Sequence, residues 1–373
     1  MERALVTGGA GFIGSHLVDA LVDRGMEVRV LDSLDPQVHG GPHATPPRLN
    51  PRAEYVKGDV RDRETLWAAL EGIQVVFHQA AAVGVGQSMY QIERYVAANT
   101  LGTAVLLDLL ANRSHSVRKL VVASSMSLYG EGSYRCPDCG PSEATPRSED
   151  RMRRGLWDPE CPRCGATLSP LPTPEGKPLR PTSIYAISKK DQEEMSLCVG
   201  RAYGIPTVAL RYFNVYGPGQ ALSNPYTGVA AIFSSRALNG KPPLVYEDGG
   251  QTRDFVHVRD VVQANLLVMD SDQANYGVFN VGTGRPLSVL QVAELLCRQV
   301  GPPGLRPSVV GRYRKGDVRH CYADIGRIAA LGYVPRVSFE EGLRELADWV
   351  RQQTADDLVD RAAAELEQRG LLG

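Results

Sequence analysis

The sequence predicts an α/β protein: a doubly wound parallel sheet, a smaller C-terminal α/β lobe, and a compact insertion rich in proline, glycine and cysteine. Three observations carry this reading. Apolar runs of strand length alternate with segments of helical period from the N-terminus to about Arg211, the pattern of repeated βαβ units around a parallel sheet. The first strand runs into closely spaced glycines in Leu5-Val6-Thr7-Gly8-Gly9-Ala10-Gly11-Phe12-Ile13-Gly14. Between Tyr129 and Pro181 the alternation stops and turn residues take over, and a helical pattern resumes at Ser183.

The elements follow in order. After the glycines, residues 15–24 read as a helix that Gly25 ends, and residues 27–32 as the second strand. Further strands are expected at 53–57, 74–78 and 119–123, with helices at 62–70 and 92–112. Beyond the insertion come a helix at 183–203, a strand at 207–211 and a helix at 231–238. Residues 254–258 and 278–281 read as returns to the main sheet, and 289–300 and 338–353 as helices of the C-terminal lobe. The amphipathic tail 356–369 is assigned no chemistry and reads as a solvated helix, with a cap on that lobe or on a neighbouring subunit as the alternative. The expected units are 1–213 with returns near 254–283, an insertion at 131–180, and a lobe made of 214–253 and 284–373.

Composition limits the function classes. The chain has 373 residues, 43% of them apolar and 22% charged, enough for a large core and against disorder. A net charge of −1 provides no bulk field for nucleic acid or anionic membrane, so an anionic ligand must be held by local groups. Because no apolar run spans a bilayer and no basic leader precedes the first strand, the expectation is a cytoplasmic protein.

In a doubly wound sheet, ligands gather at the carboxyl ends of the strands, where Gly8 to Gly14, Asp32, Asp59, Ala80 to Ala82 and Ser124-Ser125 share one rim. Gly8, Gly11 and Gly14 let the backbone turn tightly and present a pyrophosphate to the positive end of the next helix, which makes the first unit Rossmann-type. Asp32, ending the second strand, accepts from ribose hydroxyls and repels a 2′-phosphate, so the expected cofactor is NAD rather than NADP. Tyr185 and Lys189 lie four apart on one helix face, where an ammonium favours the phenolate of its neighbour and makes the phenol a usable base. Ser125 is placed to hydrogen-bond the reacting hydroxyl.

Cys136-Pro137-Asp138-Cys139 and Cys161-Pro162-Arg163-Cys164 are two C-x2-C knuckles with 21 residues between them. Four soft thiolates at this spacing suit tetrahedral zinc in a saturated, structural site like that of a zinc ribbon, with two disulfides or free thiols as the alternative. The insertion is balanced in charge, which argues against a grip on nucleic acid.

In this order, the glycine loop, Gly58-Asp59-Val60, His78 with Ala80-Ala81, Asn99-Thr100-Leu101-Gly102-Thr103, Ser124-Ser125-Met126-Ser127-Leu128-Tyr129-Gly130 and the Tyr-x3-Lys pair closely resemble the extended short-chain dehydrogenase/reductase superfamily, in its nucleotide-sugar epimerase and dehydratase branch. The likeness covers nearly the whole chain. It implies that Gly8, Gly11, Phe12, Ile13, Gly14, Asp32, Asp59, Val60, Ala80, Ala81, Ala82, Asn99, Ser124, Tyr185, Lys189 and Tyr212 contact or position NAD, and that Ser125, Tyr185 and Lys189 are catalytic. Arg211 to Pro218, Thr252 to Val258 and Gly316-Asp317 look like sugar-nucleotide signatures. Gly84, Ser127, Asn214, Arg253, Arg314 and Asp317 are accordingly the expected substrate residues, with Arg253 and Arg314 as forks for a diphosphate and Asp317 facing a ribose or pairing with an arginine.

Related dehydratases carry an acidic pair after the catalytic hydroxyl residue, where this chain has Met126 and Ser127, so epimerisation at C4 through a 4-keto sugar is the expected reaction. Small residues from Gly84 to Gly86 leave room for the sugar to turn over. Within the branch, Val83 to Tyr90, Ser125-Met126-Ser127 and Gly316 to Asp324 look like the dTDP-L-rhamnose 4-epimerase type and its antibiotic-sugar relatives. Another nucleotide-sugar epimerase, a decarboxylase or a 4-ketoreductase would keep nearly the same residues, and a non-catalytic nucleotide sensor is the alternative of a different class. The resemblance also implies a homodimer paired through helices 92–112 and 183–203.

Overall fold

The computed structural model describes residues 2–40 and 48–373. Its main sheet has seven parallel strands in the order Val278–Val281, Thr207–Tyr212, Lys119–Ser125, Val75–His78, Arg3–Thr7, Glu27–Asp32 and Glu54–Lys57. The central strands are continuous apolar runs because helices cover both faces; Val75–His78 and Lys119–Ser125 are buried throughout. Strand order reverses between Arg3–Thr7 and Val75–His78, so a crevice opens beyond their carboxyl ends. Two apolar layers fill the faces, one around Leu17, Leu21 and Val261, the other around Leu66, Leu106 and Leu110.

The helices start where the sequence provides caps. Asp62 accepts from the Glu64 and Thr65 amides ahead of Arg63–Leu70, and Ser183 from the Ala186 amide ahead of Ile184–Tyr203. Gly204, with φ 68°, ends the latter in the left-handed conformation. The helix expected at 92–112 is present but not uniform, since Val96–Leu101 is a π-helical turn between Ile92–Tyr95 and Gly102–Asn112. Apolar periodicity does not register one added residue per turn, although such turns often mark functional positions.

Two expectations need correction. The strand foreseen at 254–258 does not return to the main sheet. It is Thr252–His257, which pairs with Asn214–Tyr216, Pro286–Ser288 and His320–Cys321 in a separate four-stranded sheet of the lobe. A period-two pattern identifies a strand but not its partner. Nor is the tail a solvated helix: Val359–Gln368 buries Ala362 and Leu366, and its Glu365 accepts from Tyr90 (2.9 Å) and Tyr226 (2.8 Å). Its apolar stripe is narrow, which is why the sequence reads as solvated.

The insertion forms a three-stranded antiparallel sheet, with Ser133–Cys136 between Gly140–Ser142 and Ser169–Leu171. Among the described residues, no helix is long and apolar enough to cross a membrane.

Candidate active site

The crevice at the strand ends widens into a cavity of about 900 Å³ that reaches from the glycine loop to the C-terminal lobe. The helix Phe12–Asp23 begins on this cavity with Gly11 at its cap position and no side chain capping its amides, which leaves N–H donors facing an incoming anion. Gly8 has φ +69°, and a Cβ there would stand 2.8 Å from the Ala80 backbone. A Cβ on Gly14 would stand 2.2 Å from the Gly8 carbonyl oxygen, so the turn closes only with hydrogen at that position. Asp32 accepts from the Ala10 amide (3.0 Å) and the Leu34 amide (2.9 Å), which fix its carboxylate at the cavity wall. Asp59 is bonded by Arg61, and those hydrogen bonds hold its carboxyl below the usual carboxylate range.

Phe12, Ile13, Val60, Ala80, Ala81, Ala82, Gly84, Ser124, Ser127, Tyr212, Asn214, Arg253, Arg314 and Asp317 also line this cavity. Asn99 does not. It lies behind the wall, inside the π-helical turn, and is fully buried. Its side chain accepts from the Ala82 amide (2.7 Å), and donates to the Ala82 carbonyl (3.0 Å) and to Ser188 Oγ (2.9 Å). Asn99 therefore holds the strand-end loop at Ala82, which lines the cavity, and of the two roles expected for it the structure describes the positioning one.

Ser125, Tyr185 and Lys189 all line this cavity. Ser125 ends its strand and caps the short helical turn Met126–Tyr129, accepting from the Ser127 amide (3.1 Å) and the Ser127 hydroxyl (2.9 Å). Tyr185 packs edge-on against Tyr95, with ring centroids 6.4 Å apart. Burial pushes its phenol above the ordinary value, and the Ser125 hydroxyl pulls part of the way back. Lys189 is buried and donates to the Ala123 carbonyl; burial lowers its ammonium to about 7, opposed by the negative charge of Glu193.

That carboxylate belongs to a network the sequence reading missed. Glu193 accepts from Ser124 Oγ (2.6 Å) and pairs with Arg211 (2.9 and 2.5 Å), both side chains being buried. The signal lies in the spacing, since Glu193 follows Lys189 by four positions on the same helix face. Below it, His78 is bonded to Thr7 (2.8 Å) and Thr103 (2.9 Å), and burial lowers it to about 3, so it packs as a neutral ring. The Tyr212 ring borders the cavity, but its hydroxyl is bonded to Asn265, and burial pushes it up to about 12.

Toward the lobe, Asn214 keeps a buried Oδ1 without a partner among the described residues. Arg253 donates to the carbonyls of Thr252 (2.8 Å), Arg319 (3.0 Å) and Val318, which leaves its fork less free than expected for a phosphate clamp. Arg314 lies 4.8 Å over the Tyr246 ring, and its Nε donates to Asp317 (2.9 Å), so of the two expectations for Asp317 the ion pair is the one present. Ala362, Ala363 and Leu366 of the C-terminal helix close one side of the cavity, the second feature the sequence reading missed. Away from the cavity, the sulfurs of Cys136, Cys139, Cys161 and Cys164 lie within 4.8 Å of one another.

The model of the NAD dependent epimerase/dehydratase family matches residues 4–151 and 166–282. The chain belongs to that family. The gap between the two matched segments, 152–165, falls inside the insertion and takes in its second cysteine knuckle. This epimerase/dehydratase chain is 36% identical over 355 residues to dTDP-L-rhamnose 4-epimerase of Burkholderia thailandensis, covering 94% of this chain and 96% of the relative. Among solved structures it is similar to UDP-glucose 4-epimerase of Thermotoga maritima with UDP-glucose, with a TM-score of 0.76, 32% identity, and coverage of 94% and 99% of the two chains. UDP-glucose 4-epimerase of Thermus thermophilus in complex with NAD matches with a TM-score of 0.73 and 32% identity over 94% and 100%.

Proposed function

We propose that this chain is an NAD-dependent nucleotide-sugar 4-epimerase. The observation that carries the reading is the convergence of Ser125, Tyr185 and Lys189 in one cavity bounded by a glycine phosphate loop at one end and by Arg314 with Asp317 at the other. The neighbours that hold NAD or UDP-glucose support a dinucleotide and a nucleotide sugar as its occupants. The residues fit the cofactor: uncapped helix amides for the pyrophosphate, no room for a side chain at Gly14, and an acceptor carboxylate at Asp32. NAD bound there supplies reversible two-electron oxidation of the C4 carbinol.

The side chains then manage a proton. Tyr185 Oη takes it from the C4 hydroxyl and returns it after the 4-keto sugar has turned over, while Ser125 Oγ hydrogen-bonds the same oxygen. Lys189, when protonated, favours the phenolate by charge. Met126 and Ser127 offer no carboxyl for expelling a C6 hydroxyl, which disfavours dehydration. Removing the ammonium in Lys189→Met raises a phenol that burial has already raised, so the acid limb of the pH–rate profile moves to higher pH and kcat falls. An unchanged limb refutes that role.

The test is proton NMR of purified protein with a panel of nucleotide hexoses deuterated at C4. Inversion at C4 that retains the label without added NADH is the expected result. Label lost to solvent excludes oxidation and re-reduction, a requirement for NADH points to a ketoreductase, released carbon dioxide points to a decarboxylase, and no turnover on any substrate points to a sensor.

Zinc is the proposed occupant of the four cysteines. Zinc–sulfur bonds of about 2.3 Å in a tetrahedron place thiolates about 3.8 Å apart, within the spread of this cluster. Four thiolates complete the tetrahedron and leave no place for substrate, so the ion is structural and holds a segment whose own apolar cluster is small. One equivalent of zinc by metal analysis, lost together with thermal stability in Cys161→Ser, is expected; full stability without metal contradicts it. A homodimer remains the proposed assembly, since Ile92, Val96, Leu101 and Ile187 on the two helices are exposed apolar side chains.

A further inference from the structure

We infer that Arg147, in the cysteine insertion, is a positioning residue for the lobe end of the cavity, so that the insertion sets how tightly a nucleoside diphosphate is held. The inference rests on the reading of Arg314 and Asp317 as substrate groups.

Arg147 lies between the two cysteine knuckles in sequence, yet its side chain is only 3% exposed because it enters the lobe. One guanidinium nitrogen donates to the Asp317 carbonyl (2.9 Å), and the other to Glu247 Oε1 (2.8 Å) and the Trp157 carbonyl (3.2 Å). Glu247 is 1% exposed, and its second oxygen accepts from Arg319 (2.9 Å), so one buried carboxylate is held between two guanidinium groups. Its backbone has φ 53°, a left-handed conformation that a glutamate keeps only where its surroundings over-determine it.

These ties converge on Arg314. The residue before Glu247 is Tyr246, on whose ring the Arg314 guanidinium lies, and Asp317, whose carbonyl Arg147 holds, is the ion-pair partner of Arg314. Arg147 thus fastens the loops on both sides of Arg314, the cation that pairs with Asp317. Other insertion residues reinforce the join. Asp158 accepts from Arg319 Nε (2.8 Å), Glu131 from the Arg319 amide (2.8 Å), and Trp157 packs 6.4 Å from Tyr313. The 313–319 segment has little regular structure of its own, so these side chains set its course.

Loss of Arg147 strips the buried Glu247 of one cation and removes the guanidinium donor that holds the Asp317 carbonyl. The loop relaxes, and a planar arginine fork that must meet phosphate oxygens in a fixed geometry shifts with it. Arg147 reaches none of the groups around Tyr185, so the effect falls on binding.

The test is calorimetric titration of UDP and of dTDP into wild-type protein, Arg147→Gln and Arg147→Lys, with bound NAD and hydrogen exchange measured on each. Wild-type protein is expected to bind at least one nucleotide. Arg147→Gln weakens that binding by about tenfold or more, and Arg147→Lys, which keeps a charge opposite Glu247, recovers part of it. Exchange rises at 246–248 and 313–320 while residues 3–32 stay protected and NAD content is unchanged. In turnover, KM rises while kcat stays within about twofold. Should Arg147→Gln not fold, Asp158→Asn, altered at the half-exposed rim of the same network, is expected to weaken binding about threefold. Wild-type affinity in the folded variants overturns the inference. Wild-type protein that binds neither nucleotide overturns the substrate reading beneath it.

Discussion

Tyr185→Phe is expected to lower epimerase turnover by about 10²–10⁴-fold, the range a positioned acid–base group contributes, while leaving the fold and the bound dinucleotide in place. The ring keeps its edge-on packing against Tyr95 at 6.4 Å, because that contact involves carbon atoms that phenylalanine retains. What disappears is Oη, the atom within reach of Ser125 and the one group in the constellation able to exchange a proton with a sugar hydroxyl. Ser125 cannot replace it: an unassisted hydroxyl is a poor base, and its oxygen already accepts from the Ser127 amide and hydroxyl. Lys189, whose ammonium donates to the Ala123 carbonyl, supplies charge and donors but, when protonated, no acceptor for the sugar proton. NMR turnover assays beside NAD content and a thermal melt check this. Activity within tenfold of wild type, in a variant that holds NAD, would mean that Tyr185 is not the proton carrier.

The legible part of this site is the part written in short spacings. Gly8, Gly11 and Gly14 fall in one turn, Tyr185 and Lys189 on one helix face, and each pair of cysteines in one knuckle, so local geometry alone brings them together. Strand ends are legible for the same reason, because a parallel sheet gathers them on one rim whichever strand they close. What the sequence leaves out depends on contacts between distant segments. Glu193 and Arg211 pair across a helix and a strand, and Glu365 meets Tyr90, 275 positions away in sequence. Thr252–His257 reads as a strand in either sheet, and only packing assigns it to the lobe. Asn99 shows a further limit. Its motif is legible, but a motif does not say whether a side chain faces the ligand or the loop beneath it.

Gly14→Ala is the second large effect expected, and its cause is space alone. The added carbon would lie 2.2 Å from the Gly8 carbonyl oxygen and 2.7 Å from the Gly9 Cα, both main-chain atoms that no rotamer change can move aside. Gly8 in turn abuts the Ala80 backbone, so the loop cannot retreat without disturbing the neighbouring strand end. The turn must open, which costs about 1–3 kcal/mol or more as overpacking does and pulls the helix amides away from the pyrophosphate they would receive. Two controls separate space from conformation. At Gly11 the new carbon meets the Gly8 oxygen at 3.3 Å, tight but tolerable, so the loss of NAD should be partial. At Gly25 nothing lies within 4 Å but φ is +80°, so alanine there costs about 1–2 kcal/mol of stability with no loss of cofactor. NAD content of the purified variants, read beside their melting temperatures, orders the three. Retention of NAD by Gly14→Ala at the wild-type level would show that the dinucleotide does not lie against this turn.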